Sequence, residues 1–207
     1  MKKRLGLTLL VLLFSSALPM IAQLTPAQFS ADMLVHTKQN DMKGKFFFTP
    51  AHTRMDMQIP GGSVSNITDV TEKKFYMVMH DRHMYMEHDL SRPNPMARGP
   101  KPPEVKAFDP NNPCANQEGT TCKKVSTETV NGRTCDKWEF SRNGKLESTA
   151  WIDQRLHVPV KSVREDGTSF ELQNIKEGPQ PDSAFTIPTD YQKFDMGNMM
   201  RGMGRDQ

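Results

Sequence analysis

From Phe29 onward, apolar and polar side chains trade places at every second position. Phe29, Ala31, Met33 and Val35 alternate with Ser30, Asp32, His36 and Lys38, and Met55, Met57 and Ile59 alternate with Arg54, Asp56 and Gln58. A period of two is the mark of a strand with one buried and one wetted face. The same reading extends to Lys43–Thr49, Lys73–Met79, His83–His88, Lys123–Val130, Arg133–Ser141, Lys145–Asp153, Leu156–Glu165 and Thr168–Ile175. Between these runs stand Pro50, Pro60-Gly61-Gly62, Asp81-Arg82, Asn131-Gly132, Asn143-Gly144 and Asp166-Gly167. Asn-Gly and Asp-Gly pairs close tight hairpins because both residues tolerate positive φ. No long stretch has a helical period. The pattern predicts a mainly β protein, a single curved antiparallel sheet in meander order with little helix.

Two segments break the rhythm. Residues 91–113 hold seven prolines, from Pro93 to Pro113. Proline cannot donate to a sheet ladder, so this segment predicts a long loop that interrupts the domain without dividing it. After Tyr191 the chain runs into Met-Gly-Asn-Met-Met-Arg-Gly-Met-Gly, which predicts a disordered tail over residues 192–207. The domain proper is then 23–191.

The chain's start sets its expected compartment. Lys2, Lys3 and Arg4 precede an apolar run from Leu7 to Phe14, and small residues follow up to Ala22. That order predicts a signal peptide over residues 1–22, too short to anchor the chain in a bilayer. The expected product is a soluble periplasmic protein with no transmembrane anchor after cleavage. The net charge of +3 includes the signal's own cluster, and no basic block interleaves with aromatics, which argues against nucleic acid as a partner.

Export makes a disulfide possible, and there are 3 cysteines. A two-residue loop at Asn131-Gly132 sets Val130 opposite Arg133, Glu128 opposite Cys135 and Cys122 opposite Ser141. Cys122 and Cys135 are then not cross-strand partners. Cys114, at the end of the loop, can reach either, and the preferred pairing is Cys114–Cys122. The spacings match no zinc pattern.

Met77, Met79, His80, His83, Met84, Met86 and His88 cluster, and Met196, Met199, Met200 and Met203 crowd the tail. Thioethers and imidazoles suit Cu(I), which makes a periplasmic copper protein one alternative. The alternation favours packing instead. If Asp81-Arg82 turns the chain, the four central methionines meet across a hairpin as core or pocket lining. No nucleophile elbow, metalloprotease helix or phosphate loop is present. His36, His52, His83 and Asp153 are each most simply solvated strand residues. The expectation is no enzyme, no catalytic residue, no cofactor and no resident metal.

The back half carries Cys122-Lys-Lys-Val, Glu128-Thr-Val-Asn-Gly-Arg, Cys135-Asp-Lys-Trp138-Glu, Ala150-Trp151-Ile152-Asp153, Val158-Pro159-Val160-Lys161, Asp166-Gly167 and Phe185-Thr-Ile-Pro188. The front half adds Phe29-Ser-Ala-Asp32-Met33 and Arg54-Met55-Asp56. This resembles an uncharacterised exported bacterial family similar to the periplasmic lipoprotein carriers of the LolA/LolB-like fold. The resemblance implies an incomplete β-barrel holding a hydrophobic ligand in its concave face. The expected function is therefore binding of a lipid, lipoprotein acyl chain or other hydrophobic ligand. The proposed lining, assigned by strand alternation, is Met33, Val35, Met55, Met57, Met77, Met84, Met86 and Trp138. A partner in envelope assembly, bound through an exposed edge strand, is the remaining alternative.

Overall fold

The structure, a computed structural model, describes residues 27–92, 109, 111–115 and 119–194. The expected signal peptide, most of the proline-rich segment and the tail beyond 194 lie outside these residues.

Twelve strands form one sheet. They are β1 (Phe29–His36), β2 (Asp41–Phe48), β3 (His52–Ile59), β4 (Gly62–Asp69), β5 (Lys74–Met79), β6 (Met84–Asp89), β7 (Thr120–Val130), β8 (Arg133–Arg142), β9 (Lys145–Asp153), β10 (Pro159–Arg164), β11 (Ser169–Glu177) and β12 (Gln192–Lys193). Their order across the sheet is β12-β6-β5-β4-β3-β2-β1-β11-β10-β9-β8-β7. Two meanders, β1–β6 and β7–β11, join where β1 pairs with β11, and the sheet stays open, with β12 and β7 at its edges. The only helical pieces among the described residues are the short 3-10 turns His80–Arg82 and Asp182–Phe185. The mainly β sheet is as the alternation predicts, and its incomplete closure is as the resemblance implies.

Curvature is built in unevenly. The pairings among β1–β6 run in unbroken register, whereas register shifts occur between Ser30 and Asp32, Lys124 and Ser126, Phe140 and Ser141, and Pro159 and Lys161. Each shift is a bulge that bends and twists its strand. The front meander is thus the panel of regular register, and the irregularities fall at its junction with β11 and in the back half.

The turns follow their chemistry. Asn131 and Gly132 sit at φ 49 and 77, Asn143 and Gly144 at 51 and 77, the left-handed pairs that a two-residue hairpin needs. Val130 then faces Arg133 and Glu128 faces Cys135, as expected. Cys122 faces Phe140 rather than Ser141, because the bulge at Val125 inserts a residue into β7. The pairing it was used to decide stands: Cys114 and Cys122 are bridged, and Cys135 is free and buried.

The structure corrects other expectations. β4 is absent from the alternation reading, because Ser65 and Asn66 break its apolar set. It nevertheless lies at the centre of the front meander. Leu156–Val158 is not strand but a turn that folds Leu156 into the core, so β10 starts at Pro159. The tail does not begin at residue 192: Gln192 and Lys193 form β12, which pairs with β6 in parallel, so the sheet is not antiparallel throughout.

The core sits where the meanders join. Phe29, Ala31 and Met33 of β1 pack with Leu172, Val160, Leu156 and Cys135, and Phe46, Phe48, Met55, Met57 and Phe170 lean on them. Phe29 stacks on Phe48 with ring centroids 5.2 Å apart.

Candidate functional site: the methionine face

Residues directly opposite one another on neighbouring strands point to the same side of a sheet, so the register assigns faces without ambiguity. One row across the front meander reads Met33, Gly44, Met57, Val64, Met79, Met84. The next, two residues along each strand, reads Ala31, Phe46, Met55, Asn66, Met77, Met86. A third reads Phe29, Phe48, Thr53, Thr68, Phe75, His88. Met33 is buried against the core, while Met55, Met57, Met77, Met79, Met84 and Met86 are each half-buried. Toward the back half, Val35, Phe170, Ser162, Ala150 and Trp138 are successive partners across five strands. All eight residues assigned to the lining by alternation therefore lie on one face. Met33 and Val35 stand at its middle, five methionines on the front panel and Trp138 far across the back half.

Gly44 has a spatial reason. A Cβ there would run into the Asp56 carbonyl oxygen and the Met33 methyl, so the missing side chain is the space that Met33 fills. Two polar atoms on this face stand apart from its apolar character. The Oδ1 of Asn66 and the Nε1 of Trp138 are buried without a hydrogen-bond partner.

The opposite face of the front meander mixes charged, polar and apolar side chains and is met by the chain's C-terminal segment. Arg54 of β3 donates from Nε to Asp56 Oδ1 at 2.6 Å, from Nη2 to Ser65 Oγ at 3.1 Å and from Nη1 to the Ala184 carbonyl at 2.8 Å. Ser65 Oγ lies 2.6 Å from Asp56 Oδ1 and 2.6 Å from His80 Nε2, and His80 Nδ1 lies 3.0 Å from the Tyr191 hydroxyl. Proton bookkeeping assigns the roles. Ser65 has one proton, and Asp56, a carboxylate, only accepts. Ser65 therefore donates to Asp56 and accepts from His80 Nε2–H, and in the neutral ring Nδ1 accepts from Tyr191. His80 in that tautomer is a donor to Ser65 rather than its base, so the Ser65–His80 contact is a tether and not an activated nucleophile. Phe185 stacks on His52 and Tyr191 on His83, with centroids 5.2 and 5.0 Å apart. This packing buries Ser65, Ile67 and Val78, which sequence reading left unassigned because their cover comes from more than a hundred residues away. A groove of about 290 Å³ lined by Lys43, Lys45, Arg54, Asp56 and His80 opens beside this network.

The methionine and histidine cluster is thus split, with His88 staying on the methionine face beside Met86. Met77 pairs with Met86 and Met79 with Met84 on one face, as the hairpin reading expects, while His80 and His83 turn to the C-terminal segment on the other. Among the described residues no three His, Cys, Asp or Glu side chains are placed to hold a metal. The four groups that could be imagined as an acid/base set stay separate. His36 pairs with Asp41, His52 with Asp69, His83 with Asp190, and Asp153 with Arg133.

In the back half, the Trp-x-Asp element proves to be architectural. The indole of Trp151 lies between the ammonium groups of Lys137 and Lys161, 5.2 and 5.3 Å from its centroid, and donates from Nε1 to Glu128 at 2.7 Å. That bond, with those from Lys137 and Ser126, draws the Glu128 carboxyl from 4.5 down to about 2. Asp153 is buried, and burial pushes its carboxyl up. The Arg133 guanidinium and the Leu156 and Arg155 amides outweigh that push and hold it below its ordinary value.

A family model described as a domain of unknown function, DUF4412, matches residues 30–157. The protein belongs to the DUF4412 family. The matched segment contains all eight residues of the proposed lining and both bridged cysteines, and the C-terminal cover lies beyond it. No curated protein matches the chain. Among solved structures, an uncharacterised conserved protein from Thermus thermophilus is matched at 12% identity and TM-score 0.55, over 83% of this chain and 91% of that one. The Pseudomonas aeruginosa MucA/MucB complex is matched at 13% identity and TM-score 0.52, over 82% of this chain and 58% of the other. These two show a shared fold. A LolA superfamily protein from Nitrosomonas europaea is also matched, at 9% identity and TM-score 0.32, over 78% and 90% of the two chains. That superposition is too loose to add to the fold argument. This chain spans 33% of the longer PNGF-II chain that it also matches, so the likeness there is to a part.

Proposed function

We propose that this DUF4412 protein is an exported, non-enzymatic binding protein of the periplasm that holds an acyl chain or another apolar group on its methionine face. The carrying observation is the paired rows from Met33 to Met84 and from Ala31 to Met86, in regular register across six strands, buried at β1 and with half-buried methionines from β3 to β6. Methionine is unbranched and polarisable, so such a face adapts to chains of differing shape. Each methylene covered contributes roughly 0.8 kcal/mol, which lets a partly covered chain outweigh association costs.

The test is uptake of a fluorescent acyl probe by the exported protein and by Met86→Asp. Met86 is half-buried on β6 and lies outside the core cluster, so the variant is expected to keep the wild-type circular dichroism and lose the probe. A folded wild-type protein that takes up no probe sinks the reading.

One observation favours a second reading, a protein partner. β7 offers eleven residues of sheet edge with no strand beside it among the described residues, and an open edge can be extended by a partner's strand. The MucB neighbour is itself solved in a complex with MucA.

A further inference from the structure

Asn66 is out of character with its row. It lies on β4, inside the sheet, with Met55 and Met77 as its cross-strand partners on the methionine face. Its Oδ1 is buried and accepts no hydrogen bond. Buried side-chain oxygens are almost always paired, and an exception asks for an explanation. Neither neighbour can supply a proton, since a thioether sulfur is only a weak acceptor. An apolar residue at this position would pack in the row without the cost of burying an unpaired amide.

We infer that the Asn66 carbonyl reads the polar end of the bound amphiphile and selects one that donates a hydrogen bond. The chemical class is a long-chain alcohol or primary amide, whose O–H or N–H completes Oδ1. An ionised fatty acid offers only acceptors and an ester offers no donor, so both leave Oδ1 unpaired. Met55 and Met77 are the cross-strand partners of Asn66, and their unbranched side chains can turn aside as the chain enters. This inference rests on the apolar-binding reading and adds to it the identity of the headgroup.

The experiment is displacement of a fluorescent acyl probe from the full exported chain by dodecanol, dodecanamide, methyl dodecanoate and dodecanoate above neutral pH. In the wild type, the alcohol and the amide should compete roughly tenfold better than the ester and the carboxylate, the margin of one hydrogen bond to a group otherwise left unpaired. Asn66→Leu should erase that margin while ester binding persists. Asn66→Met, which continues the row, makes the same comparison if the leucine variant does not fold. Equal ratios in wild type and variant, or a wild-type preference for dodecanoate, overturn the assignment of Asn66 and leave the apolar site standing. Failure of the probe and all four competitors to bind overturns both.

Discussion

The hydroxyl of Tyr191 stands 3.0 Å from Nδ1 of His80, joining residues 111 positions apart. This bond fastens the C-terminal segment to the face of the front meander opposite the methionine rows, just before β12 completes the sheet. Tyr191→Phe removes the donor and leaves a ring nitrogen unpaired, so a loss of about 1–3 kcal/mol is expected in urea unfolding. The local signature is sharper. The amides of Gln192 and Phe194 donate to the His83 and Tyr85 carbonyls, and their hydrogen exchange should accelerate in the variant. Unchanged exchange there would show that β12 is held by something other than Tyr191.

Glu128 gives a pH-dependent prediction. Its carboxyl is drawn from 4.5 to about 2 by Trp151, Lys137 and Ser126. A folded value below the unfolded one means that the contribution to stability is complete above about 4.5 and fades as the pH falls toward 2. The indole N–H resonance of Trp151, followed by NMR in acid, should move with a midpoint near 2. In Glu128→Gln that titration should vanish and the acid limb of the stability curve should flatten. A midpoint at an ordinary carboxylate value would show that the Trp151 bond does not persist in solution.

Much of this architecture is legible in the chain, and the exceptions have physical causes. Alternation places Met77, Met79, Met84 and Met86 on one hairpin face, and the Asn-Gly pairs fix the turns, because both signals are local. β4 escapes detection because its buried positions include Ser65, a polar residue where alternation looks for an apolar one. Ser65 is made tolerable there by Arg54 and Asp56 of β3 and by His80 from the turn after β5. The division of the Met/His cluster between two faces is equally hidden. Consecutive residues Met79 and His80 straddle the end of β5, and the imidazole is held on the far face by Ser65 of β4 and Tyr191 of the C-terminal segment. Bulges such as that at Val125 shift Cys122 by one residue and leave no mark in composition.

The cysteines allow a thiol count. Cys114 and Cys122 are bridged, and the Cys135 thiol is pushed up to about 11, chiefly by burial and further by the nearby Asp153 carboxylate. A thiol so placed is neither ionised near neutrality nor within reach of reagent. Native protein should therefore give no reaction with a thiol-specific dye. Denaturant alone should release one thiol, and denaturant with reductant all 3. A reactive thiol in the native protein would show an open bridge or an accessible Cys135.

Arg133 and Asp153 carry the largest expected single-site effect. Asp153 is 1% exposed, and its Oδ1 accepts the Arg155 and Leu156 amides at 2.8 Å each while Oδ2 pairs with Arg133 Nε. Arg133 also reaches Glu177 at 2.9 Å, tying β8 to the end of β11. Two effects oppose one another at Asp153: burial raises its carboxyl, and the guanidinium with the two amides lowers it further. The net value lies below 3.8, so its contribution to stability is present above that pH and is lost as the pH falls through the folded value. Arg133→Met keeps the burial and removes the charge partner. The variant should lose about 3–5 kcal/mol near neutrality, the cost of a buried carboxylate left without its cation. Its acid-unfolding midpoint, read by circular dichroism, should also move to higher pH, because burial now outweighs the two remaining amides. Asp153→Asn separates charge from shape, since it retains an acceptor for the amides but gives up the ion pair. Its stability should lose the share of the acid dependence that Asp153 supplies and keep the share that Glu128 supplies. An Arg133→Met variant with an unchanged acid midpoint would mean that the amides alone set the ionisation of Asp153, and that Arg133 serves chiefly to anchor Glu177.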